Sequence, residues 1–226
     1  MYVIETRNLS KIYPGVTEVR AVDRVSLQIE DDEFTAIVGP SGSGKTTLLN
    51  IIGGLDRPTS GSIAVNGVAL NDLTDSELID FRLKHIGFVF QSYNLIPVLS
   101  ARENAEFIML LQKIPKKDRD LRVETLLQEV GLEDKMNNRP AQLSGGQQQR
   151  VAVARALASK PDFVLADEPT ANLDSKSAEN LLDIMLRLNK EEGVTFVFST
   201  HDQRVIDRAR RVITLEDGKI VKDERR

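Results

Sequence analysis

A chain of 226 residues with 41% hydrophobic and 28% charged side chains is long and apolar enough to bury a substantial core, which excludes a disordered class. Its 30 basic and 34 acidic residues leave a formal net charge of −4, so no cationic field advertises nucleic acid or an anionic membrane surface. The absence of cysteine excludes disulfides and thiolate metal sites and suits the cytosol. The longest apolar runs fall well short of the ~20 residues that span a bilayer, and the amino terminus lacks the basic and apolar regions of a signal peptide. The chain is therefore expected not to cross a membrane.

The elements follow in chain order. Tyr2-Val3-Ile4 reads as a strand leading to a turn at Pro14-Gly15. Val22, Val25, Leu27 and Ile29 fall mostly at alternate positions, which predicts a second strand ending at Glu30-Asp31-Asp32. Residues 34–38 form an apolar strand and residues 47–52 a helix. Residues 62–65 followed by Asn66-Gly67 predict a strand ending in a tight turn. Thr74 with Glu77 is a capping box for a short helix to about Leu83, and residues 86–90 are a strand ending at Gln91. The character then changes. A second capping box, Ser100 with Glu103, starts a helix over residues 101–112, and Pro115 fits the first turn of another that stops at Gly131. Beyond Pro140 come a helix through Leu157, a strand at 163–166, a helix at 175–189, a strand at 194–199, a helix at 202–209, and two short strands flanking Asp217-Gly218.

Strands alternating with helices imply a largely parallel, wound α/β sheet, with the mixed early strands forming an antiparallel sheet at one edge. One domain covers the chain: a core made of residues 1–91 and 141–226, with a mainly helical subdomain, residues 92–140, inserted between its halves.

Residues Gly39-Pro40-Ser41-Gly42-Ser43-Gly44-Lys45-Thr46 fit G-x-x-x-x-G-K-[ST] between a strand and a helix. The glycines let backbone approach a polyphosphate, and free N–H groups with the helix dipole favour an anion at the helix start. Lys45 would place its ammonium on the β- and γ-phosphates, and the Thr46 hydroxyl, followed by Thr47, would sit on Mg²⁺. The strand 163–166 ends in Asp167-Glu168. Asp167 can hold Mg²⁺, and Glu168 can face the γ-phosphate and polarise an attacking water. A third feature, Leu143-Ser144-Gly145-Gly146-Gln147, opens a helix with exposed N–H groups and a serine hydroxyl, a second anion site.

Taken together, these motifs resemble the signature of ABC transporter ATPases over essentially the whole chain. The resemblance implies a P-loop NTPase (RecA-like) fold, ATP and Mg²⁺ as ligands, and further roles. Tyr13 would stack on adenine, Gln91 would reach Mg²⁺ and the lytic water, the segment Ala171-Asn172-Leu173-Asp174 would cross a dimer interface, and His201 would contact the γ-phosphate. His85 carries no motif and is expected to be structural. Two phosphate-binding surfaces on one chain suggest a homodimer in which the serine–glycine surface, Ser144 to Gln147, caps the nucleotide on the partner's Lys45 loop.

Residues 38–56, 86–97 and 143–150 are most similar to the branch with lipoprotein-releasing and macrolide-export ATPases. That implies separate permease subunits in the membrane, a peripheral place on its cytoplasmic face, and extrusion of a lipoprotein, peptide or drug, with no nucleic acid partner. Control of envelope enzymes through a signalling complex, or a soluble non-transport ATPase, are the competing functions. The apolar stretch Tyr93–Leu99 is read either as part of a permease groove or as filling of the helical core.

Overall fold

The fold comes from a computed structural model that describes residues 2–15 and 18–226. Strands β1 (Tyr2–Tyr13) and β2 (Val19–Glu30) are long and antiparallel, and β1 also pairs with β4 (Ser60–Val65), which pairs with the short β5 (Val68–Ala69). These form a separate sheet of order β2-β1-β4-β5, so the early antiparallel unit is a layer of its own. β1 is much longer than Tyr2-Val3-Ile4 because its polar residues are satisfied sideways. Thr6, 2% exposed, donates its hydroxyl to the Val25 carbonyl at 3.2 Å and accepts from the Leu27 amide at 2.9 Å. Register shifts interrupt the pairing, and the left-handed backbone of Asn8 (φ 47°) and Arg24 (φ 52°) falls among them.

The second sheet has the order β10-β9-β3-β8-β7-β6. Its strands are β3 (Phe34–Val38), β6 (Ile86–Val89), β7 (Phe163–Asp167), β8 (Thr195–Ser199), β9 (Arg211–Glu216) and β10 (Lys219–Arg225). Pairing is parallel from β9 through β6 and antiparallel only between β9 and β10. Both faces are covered, so the inner strands are continuously apolar. Their side chains divide by period two. Phe196, Phe198, Val164 and Ala166 belong to one apolar cluster, and Val197, Phe163, Leu165 and Ile37 to another on the opposite face.

Helix α1 (Lys45–Ile52) lies between the two sheets and buries Leu48, Leu49, Ile51 and Ile52. Helix α2 (Asp75–His85) opens on the expected Thr74–Glu77 capping box and packs beside β6. On the opposite face of the main sheet, α3 (Ala101–Leu111), α4 (Lys116–Glu129), α5 (Gly145–Ala158) and α6 (Ser175–Glu192) share one apolar cluster. Helix α5 contacts both α3 and α4 as well as β6. A short helix α7 (Gln203–Arg208) precedes β9. His85 stacks on Phe81 at 4.4 Å and bonds through Nδ1 to Asp162 at 2.8 Å, the structural place expected of it.

Candidate functional site

The loop between β3 and α1 lies at the carboxyl edge of the main sheet, where open α/β sheets bind ligands. Two of its glycines have no alternative. Gly39 has φ 150° and Gly44 φ 99°, and a Cβ on either would stand 2.0 Å from a backbone oxygen, that of Leu215 or of Ala21. The loop is thus wedged between β2 and the β9–β10 hairpin. The Gly218 amide donates to the Ser43 carbonyl at 3.0 Å, and the Asp23 amide to the Gly218 carbonyl at 2.8 Å. The Ser43 side chain is buried in this wedge, with Oγ unpartnered among the described residues.

The loop forms one wall of a cleft of about 690 Å³. Gly39 to Gly42, Gly44, Lys45, Thr46 and Thr47 line it, and Gln91, Glu168 and His201 face them from the ends of β6, β7 and β8. Lys45 Nζ donates to the carbonyls of Gly39 (2.8 Å) and Pro40 (2.9 Å). Thr46 Oγ1 donates to Asp167 Oδ1 at 3.1 Å. Glu168 has a left-handed backbone, φ 46°, and its amide donates to the Ser199 carbonyl at 2.8 Å. Its carboxylate meets His201 Nδ1 at 2.7 Å and accepts from the Thr200 hydroxyl at 3.3 Å. Hard oxygens of a threonine and an aspartate, with Gln91 and Glu168 on the same cleft, are the donor set a magnesium ion takes beside phosphate oxygens.

Asp202, just past His201, was not singled out by motif reading, although an acidic residue before a helix is a capping signal. Its carboxylate accepts from the Thr170 hydroxyl at 2.6 Å and from Arg204, and it caps α7. Burial alone would raise its pKa, but the Arg204 guanidinium, the Thr170 hydroxyl and the Arg204 amide outweigh it and pull the pKa down to about 2. This ties the segment after Glu168 to the segment after His201. Val19 to Ala21 of β2 and Asp217 of the β9–β10 turn also line the cleft. No local sequence pattern marks them, because only sheet packing brings them there.

Asp174 and the Ser144–Gln147 group lie apart from this cleft, whereas Tyr13 stands at its edge, paired with Val19 and within reach of the Thr47 side chain. Tyr13 is 39% exposed, donates to Asp56 at 2.8 Å and carries the Lys11 ammonium 4.9 Å over its ring. Burial and the Asp56 carboxylate raise its pKa. Asp174 caps α6, accepting from the Ser177 amide and hydroxyl, which lower its pKa. Ser144 and Gln147 form a capping box at α5: the Gln147 amide donates to Ser144 Oγ at 3.3 Å and the Ser144 amide to Gln147 Oε1 at 2.8 Å. Ser144, Gly146 and Gln147 line a separate recess of about 220 Å³ with Lys176 and Ser177, and Gly145 starts the helix behind them.

A groove of about 460 Å³ runs between α2, β6, α3 and α5. Ile79, Phe107, Ile108 and Leu111 line it, with Ile96 from the Tyr93–Leu99 stretch. Leu95 instead packs against the core of the helical face. Within that stretch Leu95 thus meets the core and Ile96 the open groove.

The ABC transporter family profile matches residues 22–171, spanning the phosphate loop, Asp167-Glu168 and the serine–glycine helix start. The chain belongs to the ABC transporter family. It is one of that family's ATP-binding ATPase subunits. It is 44% identical to a lipoprotein-releasing system ATP-binding protein of Syntrophus aciditrophicus, over 97% of this chain and 99% of that one. It is 47% identical to a macrolide export ATP-binding/permease protein of Hyphomonas neptunium, over 98% of this chain but 34% of that longer one. Among solved structures, it superposes with TM-score 0.90 and 44% identity, covering 98% of each chain, on a dimeric post-hydrolysis state of the ATP-binding cassette MJ0796 bound to ADP and Pi. That cassette comes from Methanocaldococcus jannaschii. The ABC ATPase fold is thus shared along almost the full chain.

Proposed function

We propose that two copies of this chain close head-to-tail on two ATP molecules and that hydrolysis lets them part, driving a separate permease. One observation carries this reading. Lys45, Thr46, Gln91, Glu168 and His201 line one cleft, whereas the Ser144–Gln147 surface lines a different recess of the same chain. A partner's serine–glycine surface then completes each cleft, and the twofold arrangement closes at two. The dimeric state of the MJ0796 cassette supports it.

In the closed site, the phosphate-loop amides and Lys45 bind the polyphosphate, once the ammonium leaves the Gly39 and Pro40 carbonyls. Thr46, Asp167 and Gln91 would hold Mg²⁺, which when bound neutralises phosphate charge. Glu168 orients the attacking water and accepts its proton, and His201 fixes the Glu168 carboxylate and approaches the γ-phosphate. Tyr13 supplies a partly exposed ring for adenine. Asp174 presents the 171–174 loop to the partner, and its cap on α6 holds that loop's shape.

We read the apolar groove as the seat for the permease's cytoplasmic segment, with the subunit on the inner face of a membrane. No helix among the described residues is long and apolar enough to cross one. Extrusion of a lipoprotein, peptide or drug is the transport class suggested by the names of the two relatives.

The test is Glu168→Gln. It should keep ATP affinity, lose turnover by about 10²-fold or more, and double the sedimenting mass from 25.2 kDa when ATP is present. A variant that stays monomeric with saturating ATP and Mg²⁺ would refute the composite site.

A further inference from the structure

Helix α5 begins at the serine–glycine surface and carries a fully buried glutamine, Gln149, one turn further in. Its side-chain amide donates to the Phe90 carbonyl at 3.3 Å and to the Pro169 carbonyl at 2.8 Å. Phe90 directly precedes Gln91, and Pro169 directly follows Glu168. One NH₂ group thus spans the two backbone segments that carry the water-handling side chains. The amide orientation follows from the network, since a flipped side chain would aim an oxygen at two carbonyl oxygens. The other end, Oε1, is buried without a partner among the described residues. A buried amide that leaves its own oxygen unpaired is an expensive way to fill space.

The surrounding backbone needs such a hold. Glu168, Tyr93 and Asn94 all have left-handed conformations, with φ of 46°, 61° and 49°. Such residues persist where neighbours over-determine them. Arg155, also on α5, donates to the carbonyls of Tyr93 and Asn94. Asn172 donates to the Gln91 carbonyl at 3.0 Å, and the Tyr93 hydroxyl to the Asn172 carbonyl at 3.3 Å. Helix α5 therefore grips the 90–94 segment at both ends, and Gln149 also reaches the Glu168 segment.

We propose that Gln149 is a positioning residue for hydrolysis: it holds Gln91 and Glu168 in register with one another and with the helix that faces the partner's nucleotide. The proposal rests on the hydrolytic reading above. Any shift of α5 as the dimer closes is passed by this amide to both water-handling segments together. Because Gln149 touches no nucleotide, its loss acts on the chemical step and leaves ground-state binding alone.

The full chain with Gln149→Leu tests this, since leucine keeps most of the volume and removes both donors. Expected are a fall in kcat of about tenfold or more, an ATP affinity by calorimetry within about twofold of wild type, and faster amide exchange confined to residues 90–94 and 168–172. A folded variant with wild-type kcat would overturn the proposal. So would exchange that rises evenly through α5 and the core, the mark of a merely structural role. Should the leucine variant fail to fold, Gln149→Glu decides. Buried among carbonyls, its carboxyl stays protonated and keeps one donor. It should turn over more slowly than wild type at unchanged ATP affinity, and a wild-type kcat there would overturn the idea. If the wild-type chain itself did not hydrolyse ATP, the hydrolytic reading would fail, while the exchange pattern would still report on the register Gln149 holds.

Discussion

Lys45 is 9% exposed and rests on two neutral carbonyls of its own loop, with no carboxylate at ion-pair distance among the described residues. A cation so placed keeps its charge available to phosphate. Lys45→Ala should weaken ATP binding by about 10–100-fold, the worth of a charge-assisted hydrogen bond or two; unchanged affinity in calorimetry would contradict that. Asp202 makes a pH prediction. Its folded pKa, about 2, lies below the ordinary 3.8, so the Arg204 and Thr170 contacts add stability above pH 3.8 that is lost as the pH falls toward 2. Urea denaturation should therefore show Asp202→Asn less stable than wild type near neutrality, with the gap closing in acid. A gap of constant size down to pH 2 would rule this out. The Asp202 contact with Thr170 could not be read from the chain, because Thr170 is 32 residues away on another loop.

At the scale of elements, the phosphate loop is shaped by what it is packed against. Gly44 sits at φ 99° with the Ala21 carbonyl where a Cβ would go. Gly44→Ala must displace β2 or the loop, and should cost about 2–4 kcal/mol together with nucleotide binding. A melting temperature like that of wild type would show the wedge to be slack. The groove offers a paired contrast. Leu95 is half-buried against the helical core, so Leu95→Glu should destabilise the fold by about 1–3 kcal/mol. Leu111 is 50% exposed on the groove, so Leu111→Glu should leave stability within about 0.5 kcal/mol yet release the subunit from membranes when co-expressed with its permease. Membrane recovery equal to wild type would remove the groove from consideration as the docking surface. Capping boxes at Thr74 and Ser100 marked two helix starts from sequence alone, because their hydrogen bonds are local. The length of β1 was not legible, since its polar residues are matched by β2, β4 and the Asp56–Arg57 segment, all distant in the chain.

For the whole molecule, the separation of the two nucleotide surfaces on one chain predicts a complementation pattern. Lys45→Ala and Ser144→Arg should each inactivate. Mixed together, they should recover part of the wild-type rate, because one of the two sites in each heterodimer draws Lys45 and Ser144 from undamaged halves. Wild type mixed with a chain carrying both substitutions should fall below its own rate, since both sites of that heterodimer are damaged. The reverse pattern, no recovery in the first mixture and an unaffected wild type in the second, would mean that each chain works alone.

The residue types and spacings of 39–46, 167–168 and 143–147 were enough to name the ligand chemistry and the family, because each motif acts through backbone and side chains close together in the chain. The α/β alternation likewise foretold the parallel sheet. Tertiary structure alone decided which groups share a cleft: β2 and the β9–β10 turn enter it, with Tyr13 at its edge beside Val19, while Asp174 and Ser144 stand outside it. It also decided that Gln149, one of three successive glutamines, turns inward to bridge Phe90 and Pro169. Those facts depend on contacts between segments dozens of residues apart, and a linear pattern carries no record of which buried carbonyl a side chain will meet.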